Sequence, residues 1–311
     1  MKTKTIVTPP STPNAVISRR PPSGRRGICC SFVAIIAAAL LAFPAQVLPQ
    51  QSPQTQSDAL HKLFTDYYEF SLREEPDLAT DVGRPDYNAL WSDPSPEHAS
   101  QRRAALQQFL DRLHATTESQ TDSQDRLSYQ IFDWTVRGQI GDIDIIGKYN
   151  AVNHFSGGHL DIFSTMPKAP AKTVKDYEDQ IARIRALPQW IDRTIAAANQ
   201  SIAQKKVQPR LVAEHVVKEL DAEIVYEPLK SPILQAFTNF PDSIPAAEQQ
   251  RLRAAALDAY QTSFLPSWKK FREYVATTYV PASRDSIGLS QMPGGAEMYA
   301  FLVKRRTTTD Y

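Results

Sequence analysis

The sequence predicts a mainly α protein, a multi-helix domain with little or no sheet. Three observations carry that reading. Apolar side chains recur at helical spacing almost without a break from residue 57 onward. Ser, Thr and Pro stand just ahead of those stretches, where helices start. Period-2 alternation is scarce, with "GDIDII" at 141–146 the best candidate for a short strand. No fixed-period repeat is visible, which argues against a solenoid.

The elements follow in order. Ser57 caps a helix whose face is Leu60, Leu63, Phe64, Tyr67 and Phe70. Ser95-Pro96 opens the next, because proline suits a first helical position whose N–H has no partner anyway; it buries Leu106, Phe109, Leu110 and Leu113. Thr121 and Gln124 have capping-box spacing, and Leu127, Ile131 and Trp134 follow on one stripe. Tyr67-Tyr68 and Trp134 read as core. Thr173 starts a helix carrying Tyr177, Ile181 and Ile184, which Pro188 interrupts; Ile191, Ile195, Ala198 and Ile202 form the next stripe. Pro209 starts a helix with Val212, Val216 and Leu220. The stretch 245–280 carries Leu252, Leu257, Tyr260 and Phe264, then Trp268, Phe271 and Val275 beyond Pro266. An internal proline costs about 3 kcal/mol, so this reads as two helices or one bent at Pro266.

With 42% apolar and 22% charged residues in 311, the composition is that of a soluble globular protein. The net charge of +1 hides an asymmetry: residues 1–57 hold six basic side chains and no acid. The remainder carries 29 basic against 34 acidic residues, a net −5, which argues against a nucleic-acid partner. The basic segment leads into "ICCSFVAIIAAALLAFPAQ", whose apolar run of about 15 residues fits a signal-peptide core and is short for a bilayer span. Residues 1–45 are therefore read as a signal peptide, with a membrane anchor as the alternative. Arg25-Arg26 fits twin-arginine export, and ordinary secretion explains the basic start equally well. The expected location is periplasmic or extracellular, with the membrane touched only through this segment. Both cysteines, Cys29 and Cys30, lie in it, so the exported domain rests on its core. Residues 46–57 read as a Pro/Gln/Ser linker and 58–311 as the helical domain.

Candidate chemistry is thin. None of the six histidines is followed by glutamate, so the two-histidine zinc helix with its glutamate base is absent. In "AEHVVKELDAE" (213–223), His215 and Glu219 share a helical face and could share a metal; an exposed polar face is the plainer reading. In "NHFSGGHLD" (153–161), His154, His159 and Asp161 cluster around two glycines, as a substrate-contacting loop or a tight turn. No nucleophile elbow and no phosphate loop is present.

Four segments, "DRLSYQIFDW" (125–134), "HFSGGHLDI" (154–162), "YEDQIARIRALPQWID" (177–192) and "LSQMPGGAEMYAFLVKRRTTT" (289–309), come in an order that resembles the domain of unknown function 885 family over about residues 58–311. The resemblance implies an exported bacterial protein, roughly twice this long, similar to zinc metallopeptidases of the thermolysin-like clan. Its metal motif lies in the second half. The fold expected here is thus the incomplete N-terminal half of a larger helical zincin-like fold. No catalytic or metal residue carries over; zinc and a peptide substrate belong to the full-length form. His154, His159 and Tyr299 are the residues expected to contact substrate. In the family a helix follows the threonines at 307–309, so a chain cut in mid-protein is expected, with Tyr299, Phe301 and Leu302 exposed. The alternative is a non-enzymatic exported helical binding or interaction module.

Overall fold

The computed structural model describes residues 53–309 apart from 117, 119–121 and 226. The signal segment at 1–45, most of the 46–57 linker, the Thr121 cap and the last two residues lie outside the described residues. Among those described there is no strand; the nearest thing to one is an isolated bridge between Pro209 and Arg284. No described helix is long and apolar enough to cross a membrane.

Helix α1 runs Pro53–Glu74, five residues further back than a Ser57 cap allows. Ser57 sits inside it and donates its hydroxyl to Asp125 instead. A short α2 (Pro76–Asp81) follows. Helix α3 (Pro96–His114) starts as expected, with Ser95 Oγ accepting from His98 N, and buries Leu106, Phe109, Leu110 and Leu113. Helix α4 (Ser123–Gly141) is capped by Asp122, whose carboxylate accepts from Asp125 N. Its buried face is Phe132 and Val136, not the expected stripe: Leu127 and Ile131 are 51% and 57% exposed, and Trp134 is half-buried. Tyr67 packs in the core while Tyr68 is exposed. The expected strand at 141–146 is a π turn, Asp142–Ile146, that prolongs α4. Four residues of alternation are too few to outweigh a helix already propagating into them. Helices α1, α3 and α4 enclose the smaller core around Leu60, Leu63, Leu106 and Phe132.

The larger core surrounds α6 (Val174–Ala203). Thr173 and Asp176 form a full capping box at its start. The helix runs straight through Pro188, contrary to the expected break. Proline removes the N–H that would bond the Ile184 carbonyl and crowds the preceding turn; one residue earlier, the Arg183 carbonyl also accepts from Trp91 Nε1 at 2.9 Å. Fully buried Ile184, Leu187 and Ile191 flank the site. Burying each such side chain is worth roughly 1.5–3 kcal/mol, so the three together outweigh the proline.

Against α6 packs one long helical run, which α7 (Arg210–Ala222) contacts in turn, while α5 (Gly158–Thr165) packs on α2. That run is α8 (Ala246–Ala259), a π turn (Tyr260–Phe264), α9 (Leu265–Tyr274), a second π turn (Val275–Tyr279) and α10 (Val280–Ala282). It is neither split nor simply bent at Pro266. Each π turn ends two residues ahead of a proline, Pro266 or Pro281, and widens the ladder near the missing donor. Helix α11 (Gly295–Thr307) enters through Gly294 in the left-handed region. Its threonines finish a helix: Thr307 Oγ1 bonds the Val303 carbonyl and Thr308 is the left-handed C-cap. Phe301 is half-buried with its ring over Gly141, while Tyr299 is 46% exposed.

Arg183 pins α2 and the segment after it onto α6. Its side chain is fully buried and donates to the carbonyls of Leu90 (2.8 Å) and Pro76 (3.0 Å) and to Thr80 Oγ1 (2.8 Å). Its guanidinium carbon stands 4.9 Å from the Trp91 ring centroid. Arg183→Met leaves those buried acceptors without donors, and we expect a loss of about 3 kcal/mol in urea unfolding. Arg183→Lys should fall between it and wild type, because one ammonium cannot reach all of the fork's acceptors. A Met variant within about 0.5 kcal/mol of wild type would remove the pin from this account.

Candidate functional site

The two motifs singled out in the sequence meet in space. The 153–161 segment is a turn followed by a helix: Asn153 Oδ1 accepts from the backbone N–H of Phe155 and Ser156, and α5 begins at Gly158. Its glycines serve close approach rather than unusual backbone angles. A Cβ on Gly157 would stand 2.4 Å from the Asn153 carbonyl oxygen, and one on Gly158 would stand 2.8 Å from the Trp190 ring. This tight fit places His159 in the core, 1% exposed, beside Phe271.

From there His159 Nε2 reaches Glu219 Oε2 of α7 at 3.1 Å. The other Glu219 oxygen lies 3.5 Å from His215 Nε2, one turn earlier on the same helix. His154 completes the group, its ring 5.3 Å from that of His215 and edge-on to it. Thus His154, His159, His215 and Glu219 form one cluster running from the surface to the core. Sequence spacing showed the His215–Glu219 pair and the His154–His159 pair separately, not their meeting. Asp161 points outward on α5, and Tyr299, on α11, is not a member.

Burial keeps His159 neutral, lowering its pKa against the opposing pull of Glu219. With a carboxylate at Nε2, that nitrogen carries the proton. Glu223 extends the row by one turn. Burial first, and then the charge of Glu219, push its carboxyl up to about 8. Its Oε2 is buried with no hydrogen-bond partner among the described residues. The arrangement can hold one negative charge on Glu219 and a proton on Glu223, which suits general acid–base work or a fixed polar seam.

It does not fit a zinc ion. Among the described residues no group of three or more His, Cys, Asp or Glu side chains could hold a metal. Each Glu219 oxygen faces a different imidazole, so the donors do not converge on one point.

A separate feature, without any signal in the sequence, is a cleft of about 780 Å³ between the smaller core and the C-terminal end of α6. Glu74 of α1, Asp142 of the π turn, Lys148, Lys206 and Arg305 of α11 line it. Its residues come from five stretches of chain more than 50 residues apart at the extremes, beyond the reach of local spacing.

The raised Glu223 carboxyl has a pH consequence with a definite sign. Its folded pKa, about 8, exceeds the ordinary 4.5, so the unfolded chain ionises first. Stability from this group is intact below about pH 4.5 and is lost as pH rises toward 8. Glu223→Gln should melt with wild type near pH 4 and roughly 3 °C or more above it at about pH 9, after allowing for partial solvent screening. Equal melting temperatures at both pH values would show that the carboxyl ionises freely.

In comparisons with known proteins, a solved structure shares the fold: "The crystal structure of the putative lipoprotein from Colwellia psychrerythraea" superposes with a TM-score of 0.74 at 17% sequence identity. The match covers 84% of this chain and 47% of that one, so this chain spans about half the length of its solved neighbour. No curated protein matches the sequence. The family of bacterial proteins of unknown function designated DUF885 matches residues 76–311, and the chain belongs to that family.

Proposed function

We propose that the chain is the N-terminal half of an exported metallopeptidase-like hydrolase, forming a helical wall against which a second, metal-bearing half closes. The carrying observation is the coverage: 84% of this chain accounts for only 47% of a structure with the same fold. Helix α4 supports the reading from within the chain. One of its faces is buried through Phe132 and Val136, yet Leu127 and Ile131 stand exposed on another. A helix apolar on two sides suits a position between two layers. The basic start and short apolar run at 1–45 support export.

In this reading the chain alone binds and shapes, and hydrolyses nothing. The test is to sequence the gene beyond codon 311 in all three frames and express whatever joins on. We expect a helix with His-Glu-x-x-His downstream, and a joined product whose peptide hydrolysis is abolished by chelation and restored by zinc. A stop codon with no such motif after it overturns the hydrolase reading in favour of a helical binding module.

A further inference from the structure

The cleft between the smaller core and α6 is larger than its own side chains require, and its charges are unevenly matched. Two pairs on its rim are closed: Arg102 with Glu75, and Arg103 with Asp144 through two bonds of 2.7 and 2.8 Å. Asp93 is closed as well, by Arg193 at 3.0 Å; of the rest, Glu74 has His98 beside it, Arg305 and Asp142 face each other only at 3.8 Å, and the two lysines bond backbone carbonyls. Lys148 Nζ donates to the carbonyls of Pro94 and Ser95, and Lys206 Nζ to that of Ile145. Arg305 Nε is buried without a hydrogen bond, 3.8 Å from Asp142. On the acidic side, Glu74 Oε2 is likewise buried without a hydrogen bond in good geometry, although His98 Nε2 stands 2.8 Å away.

We propose that this cleft binds a small zwitterion, an amino acid or short peptide with free ends, its carboxylate held by Lys148, Lys206 and Arg305 and its ammonium by Asp142 and Glu74. Size permits it: small-molecule sites run from roughly 300 to 1,000 Å³, and this one is about 780 Å³. Charge selects it. A ligand carrying only negative charge would bring its anion against Asp142 and Glu74; a purely cationic one would meet two lysines and an arginine. One molecule bearing both charges gives each group its missing partner. Burial also works against the charge of both Asp142 and Lys148, raising the first and lowering the second, so each gains from an opposite charge placed beside it. Lys148 and Lys206 are anchored by backbone carbonyls, which orients their ammonium groups without neutralising them.

The inference rests on the hydrolase reading only for the later fate of the ligand, since it names the substrate class such an enzyme would take. Binding is read on the full chain as it stands, with no turnover involved. Calorimetric titration with trialanine should give saturable binding at least tenfold tighter than with the N-acetylated, C-amidated tripeptide, and tighter than with inorganic phosphate. Lys206→Met, which removes one surface-anchored ammonium, and Asp142→Asn should each weaken trialanine about tenfold while leaving the melting temperature nearly unchanged. Equal affinity for free and blocked tripeptide overturns the proposal, as does stronger binding of phosphate. So does wild-type affinity in both variants. A positive titration stands even if no zinc motif lies beyond codon 311, and a negative one leaves the hydrolase reading to its own test.

Discussion

One guanidinium settles how the two parts of this helical domain are joined. Arg183 lies fully buried near the middle of α6, with backbone carbonyls and a hydroxyl around it and the Trp91 ring at its face. No carboxylate bonds to it among the described residues, and burial lowers its pKa to about 10, so it remains charged at neutral pH. A buried cation of this kind must be surrounded by acceptors or it would unfold its surroundings. Its Nε and Nη2 find acceptors only because α2, Tyr87 and Leu90 sit where they do, and its Nη1 stays buried without a hydrogen bond. Trp91 closes the link from the other side by donating to the Arg183 carbonyl. The segment between α1 and α3 is thereby fixed to α6, and the smaller core is carried along with it.

The same helix explains why prolines fail to punctuate this chain. Pro188 sits in a helix packed over much of its surface, with its neighbours fully buried, so the local penalty is small beside the apolar area lost by breaking there. Pro266 and Pro281 are handled differently. Each follows a π turn, and the run from Ala246 to Ala282 stays continuous while changing its face against α6. Tyr260, Phe264, Trp268, Phe271, Val275 and Tyr279 are all fully buried along it. A strict 3.6-residue stripe drifts around a long helix; the extra residue in each π turn resets it toward the core.

What was legible in the sequence was whatever depends on neighbours along the chain. Ser95-Pro96 and Thr173 start helices because capping is local chemistry, and the buried set of α3 follows from spacing alone. Leu127 and Ile131 show the limit. Their spacing is that of a helix face, yet periodicity cannot say which of two apolar faces turns inward, and Phe132 and Val136 take the core. "GDIDII" shows another: a short alternating run is overridden by the helix before it. The cleft left no trace, since Glu74, Lys148, Lys206 and Arg305 converge only after folding.

The histidine cluster lies between those extremes. His215 and Glu219 are visible as neighbours at four-residue spacing, and His154 and His159 as a local pair, but nothing in sequence joins the pairs across the 60 residues that separate His159 from Glu219. What joins them is the depth of His159, set by the contact of Gly158 with Trp190 and of Gly157 with the Asn153 carbonyl. Once His159 is buried and neutral, its Nε2–H fixes one oxygen of Glu219, leaving the other for His215. The charge held on Glu219 then adds to burial in keeping the proton on Glu223. Two glycines in a turn thereby set the depth of His159 and its bond to Glu219, while the proton on Glu223 is kept first by that carboxyl's own burial.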